Sequence, residues 1–346
     1  METMNRLKYI LGIMVLLTVS CSPFEDYEGG YEDTPVGNFD ALWHIMDTRY
    51  CFFSVKKDQL GVDWDSVYAK YRPAVSDRMG YLSLFEVMAN MLGELQDGHV
   101  NLYGPNDIAR NWHWESDYPE NFSAKVQELY LDDDYLIASS GYNYTILNDN
   151  IGYLTMSDFS NNLSDSRLDA VLSYFSICNG IIIDIRGNGG GSVELVERIA
   201  SRFTNENVHV GYFCYKTGPG HDDFSERMPR SISPATGHIR WQKPVAVLTN
   251  RSCFSAANDF ASIMKVMPKA RLFGDRTGGG GGMPVSSELP CGWSVRFSSS
   301  PTFDADGNDI ETGVDPDEFV SMTESDTESD PIIEAAREWI GSLIIN

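Results

Sequence analysis

The fold is decided by the stretch Lys243-Pro-Val-Ala-Val-Leu-Thr-Asn-Arg-Ser-Cys-Phe-Ser255-Ala-Ala-Asn-Asp-Phe-Ala261. Its first half is a run of apolar residues that predicts a buried strand, and its second half predicts a helix that begins at Ser255. A serine in the first turn of a helix has unpaired backbone N–H groups beside it, and such groups stabilise an oxyanion. Ser255 is therefore a candidate nucleophile, with a serine that merely caps the helix as the alternative.

Neighbouring segments repeat the strand-then-helix pattern of this stretch. Residues 180–185, Gly-Ile-Ile-Ile-Asp-Ile, are typical of a buried parallel strand, and residues 193–203 predict the helix that follows it. A further helix is predicted at 163–175, and short strands at 125–140, 151–156, 271–274 and 293–298. Alternating strands and helices predict an α/β fold built from βαβ units with right-handed crossovers.

The N-terminal third reads differently, because apolar residues recur with helical spacing from residue 39 to residue 95. This spacing predicts a small subdomain of about three helices that ends at the turn Gln96-Asp-Gly-His99. Residues 106–120 predict a loop that lines a cleft, and residues 213–240 a surface insertion. We also expect a flexible glycine loop at 278–282 and a terminal helix at 331–345.

The composition excludes several classes of protein. The chain has 346 residues, of which 42% are apolar, so it is long enough to form a substantial core. Its formal net charge is −24 and it has no basic run, which argues against a nucleic-acid partner. The acidic balance indicates a solvated surface.

The N-terminus has the features of a secretory signal. Arg6 and Lys8 precede an apolar run at 10–17 that is too short to span a bilayer comfortably, and small residues follow up to Cys21. A cysteine in this place resembles the acylated cysteine of bacterial lipoproteins, although Thr18 stands where those signals usually carry leucine. We expect an exported protein of the bacterial cell envelope, periplasmic or surface-exposed, held to the membrane by a lipid on Cys21. A simple cleaved signal is the alternative.

The remaining cysteines give no sign of a metal site or a disulfide framework. They are widely spaced and form no CxxC pair or Cys/His cluster, so neither zinc nor another metal is expected. Cys253 lies two residues before Ser255, where we expect it to pack beneath the turn as a small apolar residue.

A glycine-rich segment, Arg186-Gly-Asn-Gly-Gly-Gly191, follows the predicted strand at 180–185. It lacks the Lys-Ser/Thr ending of a P-loop and the spacing of GxGxxG, so a nucleotide cofactor is not expected. Its glycines allow the backbone to approach a bound group closely, and an oxyanion is one such group. Asp184 and Arg186 are expected to hold the turn by hydrogen bonds.

Five motifs, in this order along the chain, resemble those of the S41 family of serine peptidases. They are Asp97-Gly-His99, Ile183-Asp-Ile-Arg-Gly-Asn-Gly-Gly-Gly191, Ser255-Ala-Ala-Asn258, Gly274-Asp-Arg-Thr-Gly278 and Glu311-Thr-Gly-Val-Asp-Pro-Asp317. The resemblance covers residues 38–320 and implies a crotonase-like (ClpP/crotonase) catalytic domain after the helical subdomain. It also implies hydrolysis of a peptide or protein substrate without a cofactor.

The resemblance further implies which residues act. One branch of the family uses a lysine as base, but the matching place here is Gly280. The tricorn-like branch uses a histidine and a glutamate, and His99 and Glu311 match their places. The implied set is therefore Ser255 as nucleophile, His99 as base and Glu311 as the carboxylate that orients His99, with Asp97 and Asp315 as rivals for that role. The implied oxyanion donors are the amides of Gly189, Gly190 and Ala256.

Three departures from the family pattern stand out. Gly98 replaces the serine that precedes the histidine in the tricorn-like branch, so the orientation of His99 must come from elsewhere or directly from Glu311. Asn258 stands where the family usually has glutamate. No PDZ-like segment is evident between His99 and Asp184. Because PDZ domains bind protein C-termini by strand addition, we do not expect this mode of substrate capture here.

These observations divide the chain into a signal peptide at 1–21, an acidic tether at 22–37, a helical subdomain at 38–98, a catalytic domain at 99–322 and a C-terminal helix at 323–346. The alternative to an exported peptidase is an inactive relative that binds a peptide or apolar ligand in the same cleft, for which the loop residues Trp112, His113 and Trp114 would be suited. An esterase would share the same machinery.

Overall fold

The computed structural model describes residues 30–111, 117–160 and 163–344. The predicted signal segment with Cys21, the first half of the tether (22–29), and the loop residues Trp112, His113 and Trp114 lie outside the described residues.

The helical subdomain contains four helices rather than three. They are α1 (Pro35–Arg49), α2 (Phe53–Leu60), α3 (Trp64–Tyr71) and α4 (Tyr81–Gly93). The unpredicted helix is α2, which buries only Phe53 and Lys56 and so has almost no apolar period to read. Side-chain caps fix two starts: Thr34 accepts from Gly37 N at α1, and Asp63 accepts from Ser66 N at α3.

An antiparallel sheet of six strands packs against these helices. Its strands are β1 (Asn101–Tyr103), β2 (Ile108–Arg110), β7 (Val208–Phe213), β8 (Met228–Ile232), β11 (Gly282–Glu288) and β12 (Ser294–Phe303). Their order is β2-β1-β12-β7-β8, with β11 also paired to β12. Two predicted loops are therefore corrected, since β2 lies within 106–120 and β8 within 213–240. The alternating run of β12 also continues past residue 298.

β12 separates two environments because its side chains alternate between the faces of the sheet. Val295 and Phe297 join the apolar core of the helical subdomain, together with Leu42, Leu84 and Met88. The side chains between them, at even-numbered positions, point to the other face. That face looks toward the second sheet.

The second sheet is the centre of the α/β domain. Its seven strands are β3 (Leu136–Ser139), β4 (Tyr142–Ile146), β5 (Gly152–Met156), β6 (Ile181–Asp184), β9 (Val245–Thr249), β10 (Ala270–Gly274) and β13 (Glu318–Phe319), in the order β13-β10-β9-β6-β5-β4-β3. The strands from β13 to β5 are parallel, and β5, β4 and β3 are antiparallel.

Five helices belong to this domain: α5 (Ala124–Leu131), α6 (Asp165–Tyr174), α7 (Val193–Ala200), α8 (Ala256–Lys265) and α9 (Pro331–Ser342). The prediction of a strand from residue 125 was wrong for its first part, because Ser123 caps a helix there by accepting from Val126 N. The helices predicted at 163–175, 193–203 and 331–345 and the strands at 151–156, 180–185 and 271–274 are confirmed within a few residues.

Both faces of the second sheet are buried. Ile183 and Val247 contribute to the core shared with α7 and α8, whereas Ile182 and Leu248 contribute to the core shared with α9. This two-sided burial explains the uninterrupted apolar runs in the sequence. Since β6 and β9 are parallel neighbours, the loops that follow them meet at one edge of the sheet.

Candidate active site

Ser255 occupies a sharp turn between β9 and α8. Its backbone has φ 57° and ψ −121°, a left-handed conformation that is costly for any residue with a side chain. Hydrogen bonds hold the turn on both sides: Ser255 N donates to Gly279 O at 2.8 Å, and Phe254 N donates to Asn188 O at 3.0 Å. The turn leaves the hydroxyl of Ser255 half-buried at the start of the helix.

The hydroxyl faces His99, as the sequence predicted that these residues would meet. Ser255 Oγ lies 2.9 Å from His99 Nε2. His99 lies on the turn before β1, where its backbone N–H donates to Asp97 Oδ1 at 2.7 Å, and its ring lies 4.8 Å from that of Phe254. Asn101 Nδ2 donates to Gly98 O at 3.2 Å. The imidazole is thus held from both the backbone and the ring face.

The partner of the other ring nitrogen is Ser298, a residue that the sequence analysis did not single out. His99 Nδ1 lies 3.2 Å from Ser298 Oγ, which is fully buried on β12. When Nε2 accepts from Ser255, Nδ1 carries the proton and donates to Ser298. Neither rival carboxylate takes this place: Asp97 bonds the backbone of His99, and Asp315 is exposed and lies 3.5 Å from Arg276.

Glu311 does not bond His99 directly, which differs from the expected arrangement. Its Oε1 lies 3.0 Å from Lys56 Nζ, and its Oε2 accepts from Gly281 N at 3.0 Å. The backbone carbonyl of Glu311 also accepts from Gly280 N at 3.0 Å. The carboxylate is therefore engaged by the helical subdomain and by the glycine loop, and both its side chain and that of Lys56 are buried.

Burial and neighbouring charges set the protonation of these groups. Burial lowers the pKa of His99 to about 4, Asp97 opposes this change, and the cations of Arg296 and Lys56 add to it. Burial lowers the pKa of Lys56, but the carboxylates of Glu311 and Asp97 outweigh that effect and raise it. Burial and Asp97 raise the pKa of Glu311, against the effect of Lys56. His99 is therefore neutral near pH 7 and free to accept a proton.

Two backbone amides near Ser255 are free to bind an oxyanion. Among the described residues, no acceptor bonds the N–H of Gly189 or of Ala256, the first residue of α8. The amide of Gly190 is already used, since it donates to Asn188 Oδ1 at 2.9 Å. Of the three expected donors, Gly190 is corrected to a structural role. A Cβ there would lie 2.9 Å from Ala256 N, so glycine lets the two loops approach.

Phe254 explains why glycine occupies positions 98 and 280. A Cβ at Gly98 would lie 2.9 Å from the ring of Phe254, and a Cβ at Gly280 would lie 2.5 Å from it. Gly280 also has φ 78°. The aromatic ring therefore occupies the space that a serine at 98 or a lysine at 280 would need, and the orienting hydroxyl comes from β12 instead.

The glycine run at 278–282, which its composition predicted to be a flexible loop, is buried throughout. Asn258 helps to hold its start, because Asn258 Oδ1 accepts from Thr277 Oγ1 at 2.6 Å and Nδ2 donates to Ile310 O at 3.0 Å. Asn258 thus makes two structural hydrogen bonds where the family usually has glutamate.

Buried groups brace the turns from below. Arg186 pairs with Asp184 and with Asp330, each at 2.7 Å, and all three side chains are buried. The expected turn-holding role of Asp184 and Arg186 is confirmed. Cys253 is fully buried and its Sγ donates to Ile185 O at 3.0 Å, which confirms its expected packing role.

Two cavities meet at Ser255. The larger, of about 490 Å³, is lined by Ala256 and the glycine loop and by apolar side chains such as Phe213 and Met283. The smaller, of about 250 Å³, is lined by His99, Gly189 and the side chains of Arg110 and Arg296. A chain that crosses Ser255 would occupy one cavity on each side.

Sequence reasoning missed Ser298, Lys56 and Arg296. A signal for two of them was present, because β12 alternates apolar residues with polar ones, and the polar face carries Arg296 and Ser298. The sequence gives no comparable signal for Lys56, because a single lysine in a short polar helix is predicted to be exposed to solvent.

A strained serine before a helix, a histidine bonded to it and two free amides together form the constellation of a serine hydrolase. Comparison with known proteins supports the assignment to the serine hydrolases. The profile of peptidase family S41 matches residues 150–320, and that of the tricorn protease C1 domain matches residues 31–93. A crystal structure from Parabacteroides merdae ATCC 43184 is 46% identical, covers 89% of this chain and 97% of that one, and superposes with a TM-score of 0.84. The chain belongs to peptidase family S41, whose members are serine peptidases.

More distant proteins share the fold or part of the sequence. Mature CPAF superposes with a TM-score of 0.68 at 15% identity, over 90% of this chain and 97% of that one. The carboxy-terminal processing protease CtpA of Bacillus subtilis (strain 168) is 27% identical over 48% of this chain. The match spans only 34% of that protease. The fold is a crotonase-like α/β domain with an N-terminal helical subdomain, and no PDZ domain is present in the part of the chain that the structure describes.

Two further findings concern membrane spans and metal sites in the described part of the chain. Within residues 30–111, 117–160 and 163–344, no helix has both the length and the apolar character needed to cross a membrane. Over the same residues, no group of three or more His, Cys, Asp or Glu side chains could hold a metal ion.

Proposed function

We propose that the chain hydrolyses peptide bonds, with Ser255 as nucleophile and His99 as general base and then general acid. The observation that carries this proposal is the 2.9 Å contact between Ser255 Oγ and His99 Nε2 at a strained turn. A backbone held in a costly conformation is typical of functional sites, because the surrounding structure must maintain it.

In the first step, Ser255 Oγ attacks the peptide carbonyl while its proton passes to His99 Nε2. The amides of Gly189 and Ala256 then stabilise the oxyanion of the tetrahedral intermediate, an effect worth about 3 to 4 kcal/mol for a well-placed donor. His99 next gives its proton to the leaving amine, which frees the acyl-enzyme for attack by water.

Ser298 is the positioning residue in this proposal. Its hydroxyl accepts from Nδ1, which fixes the tautomer in which Nε2 is free to receive a proton. The proposed set is thus Ser255, His99 and Ser298. Glu311 acts further out, because its carboxylate holds the glycine loop through Gly281 and pairs with Lys56.

A fluorophosphonate probe together with a quenched peptide tests the proposal. We expect the wild type to react with the probe and to cleave the peptide, and Ser255→Ala and His99→Ala to lose both activities by at least about 10⁴-fold. Ser298→Ala should lower kcat/KM about tenfold, the value of one hydrogen bond. Ser299→Ala is the matched control, since Ser299 is also buried on β12 and is not among the described hydrogen-bond partners of His99.

Labelling that persists in Ser255→Ala would reject Ser255 as the nucleophile. An unreactive wild type would instead favour the inactive, ligand-binding alternative. An enzyme that reacts with the probe and cleaves esters but no peptide would favour an esterase.

We infer from the N-terminal sequence that the protein is exported and anchored by a lipid on Cys21. The support is the short apolar run at 10–17 followed by small residues and a cysteine. Growth with a labelled fatty acid should label the wild type but not Cys21→Ser. An unlabelled wild type would reject the lipid anchor and favour a simple cleaved signal peptide.

A further inference from the structure

Two arginines lie on one row of the first sheet, next to the catalytic pair. Asn101 of β1 is directly opposite Arg110 of β2 on one side and Arg296 of β12 on the other. Residues directly opposite each other in a sheet share a face, and their Cβ atoms are about 5 Å apart. The register therefore sets both guanidinium groups on the face that looks toward Ser255.

Neither arginine has a carboxylate partner among the described residues. The chain as a whole is rich in carboxylates, with 50 acidic and 26 basic residues. Some other arginines near the site are paired: Arg186 with Asp184, and Arg230 with both Asp259 and Glu197. Arg296 is half-buried and Arg110 exposed, so both have their donors available.

Both arginines line the smaller cavity, together with His99 and Ser255. No carboxylate lines this cavity in the described part of the chain. The charge of Arg296 also contributes, after burial, to the low pKa of His99, which indicates how close it lies to the imidazole. The cavity is therefore a locally cationic region in a strongly acidic molecule.

The position of the cavity decides which part of a substrate it would hold. In the proposed mechanism, His99 protonates the leaving amine, so the leaving part of the substrate lies on the side of the histidine. The larger cavity, on the side of Ala256 and the glycine loop, is left for the acyl part. Arg110, which lines only the smaller of the two cavities, thus faces the residues that follow the scissile bond, and Arg296, which lines both cavities, lies where the two sides meet.

We propose that Arg110 and Arg296 bind a carboxylate of the substrate on the leaving-group side, within the first two residues after the scissile bond. This inference rests on the proposed peptidase function. A planar guanidinium presents paired N–H donors that match the two oxygens of a carboxylate, and a charge-assisted bond of this kind is stronger than a neutral one. The carboxylate has two possible sources, an aspartate or glutamate side chain and the C-terminus of a short leaving peptide.

Matched peptides distinguish these sources. All share one acyl part; one pair carries aspartate or asparagine in the first position after the scissile bond, and another pair ends two residues after it in a free carboxylate or an amide. We expect the wild type to favour the charged member of at least one pair by about tenfold or more in kcat/KM, and the favoured pair identifies the source. The preference should weaken as salt rises, because the site is partly exposed.

The variants Arg110→Gln and Arg296→Gln should each reduce this preference, and the double variant should abolish it while uncharged peptides are still cleaved. Arg78→Gln is the control, since Arg78 is exposed on the helical subdomain and lines neither cavity. Equal cleavage of charged and neutral peptides by the wild type, or a preference that survives in the double variant, would overturn the proposal.

A failure of the peptidase function itself would be seen separately, as absence of cleavage of every peptide and of labelling by the fluorophosphonate probe. In that case the same peptides are tested for binding to the wild type by fluorescence anisotropy. Tighter binding of a charged peptide that is lost in the double arginine variant supports the carboxylate site. Equal Kd values within both pairs overturn it.

Discussion

At the scale of single residues, the site depends on which side chain occupies the space next to the imidazole. Phe254 packs against the ring of His99 and leaves only glycine possible at positions 98 and 280 without a rearrangement. A hydroxyl from the residue before the histidine is thereby excluded. The hydroxyl next to Nδ1 comes instead from Ser298 on β12, whose Oγ lies 3.2 Å from that nitrogen.

The pH dependence of activity follows from the buried position of His99. Its pKa is lowered to about 4 from an ordinary value of 6.5. Because the proposed base works only when neutral, we expect kcat/KM to stay constant as the pH falls through 6.5 and to drop only near pH 4. The unfolded chain binds a proton below pH 6.5 and the folded one does not, so this group also reduces stability as the pH falls from 6.5 to 4.

The measurement is kcat/KM against pH, with circular dichroism as the control for unfolding and NMR titration of the His99 ring as the direct readout. An acidic limb centred near pH 6.5 in a protein that is still folded would contradict the assignment of His99 as a buried neutral base.

The sequence predicted the residue types of the site better than their contacts. Ser255 was identified because it stands where a predicted strand ends and a helix begins, and His99 because it matches the place of the histidine in the tricorn-like branch of the family. The link to Ser298 could not be predicted, because it depends on the register of β12 against β1, which brings together residues 199 positions apart. The role of Glu311 was read as direct for the same reason, since nothing in the sequence locates Lys56 beside it.

At the scale of elements, the turn between β9 and α8 is strained, because the backbone of Ser255 has a positive φ angle there. Glycine adopts φ 57° at no steric cost, whereas alanine and serine do not. We therefore expect Ser255→Gly to be more stable than Ser255→Ala by about 1 kcal/mol, after the greater flexibility of glycine in the unfolded chain is taken into account. Both variants lack the hydroxyl, so the comparison isolates the backbone.

Urea denaturation of the two variants gives the difference directly. Ala257→Gly, two residues further along in the regular part of α8, is the control and should lose stability, because glycine costs about 1 kcal/mol inside a helix. If Ser255→Gly proves less stable than Ser255→Ala, the turn is not strained in solution.

The elements that were predicted correctly are those whose pattern is local. The buried strands β6 and β9 and the helices α7 and α9 have long apolar runs or a clear helical period. Elements with few buried residues were missed or misread: α2 buries two side chains, and α5 buries Val126 and Leu131 only. The buried state of the glycine loop was also unreadable, because glycines carry no hydrophobic signal.

At the scale of the whole molecule, the helical subdomain is part of the site. Lys56 comes from α2, Glu311 from the segment after β12, and their ion pair is buried between the two parts of the protein. Since Glu311 also bonds the glycine loop next to Ser255, the pair couples the packing of the subdomain to the geometry of the catalytic turn.

Removing one partner should leave the other buried group either charged without a partner or forced into its neutral form, and both carry a free-energy cost. We therefore expect Lys56→Met and Glu311→Gln each to lower the free energy of unfolding, by up to about 3 to 5 kcal/mol. The double variant Lys56→Met/Glu311→Gln should cost clearly less than the sum of the two, because neither charge remains. In Lys56→Met, the pKa of Glu311 is raised by burial without opposition from Lys56, so the folded protein takes up a proton there. Its stability should therefore fall as the pH rises.

Urea denaturation at pH 5.5 and pH 8 tests both expectations, and Lys57→Met is the matched control because Lys57 is exposed on the same helix. A double variant whose loss equals the sum of the single losses would mean that the two side chains do not interact in solution.

Because Glu311 holds Gly281, Lys56→Met should also lower kcat/KM at pH 8 more than the control does, even where both remain folded. Equal activity in Lys56→Met and Lys57→Met would show that the ion pair stabilises the subdomain interface but does not affect catalysis.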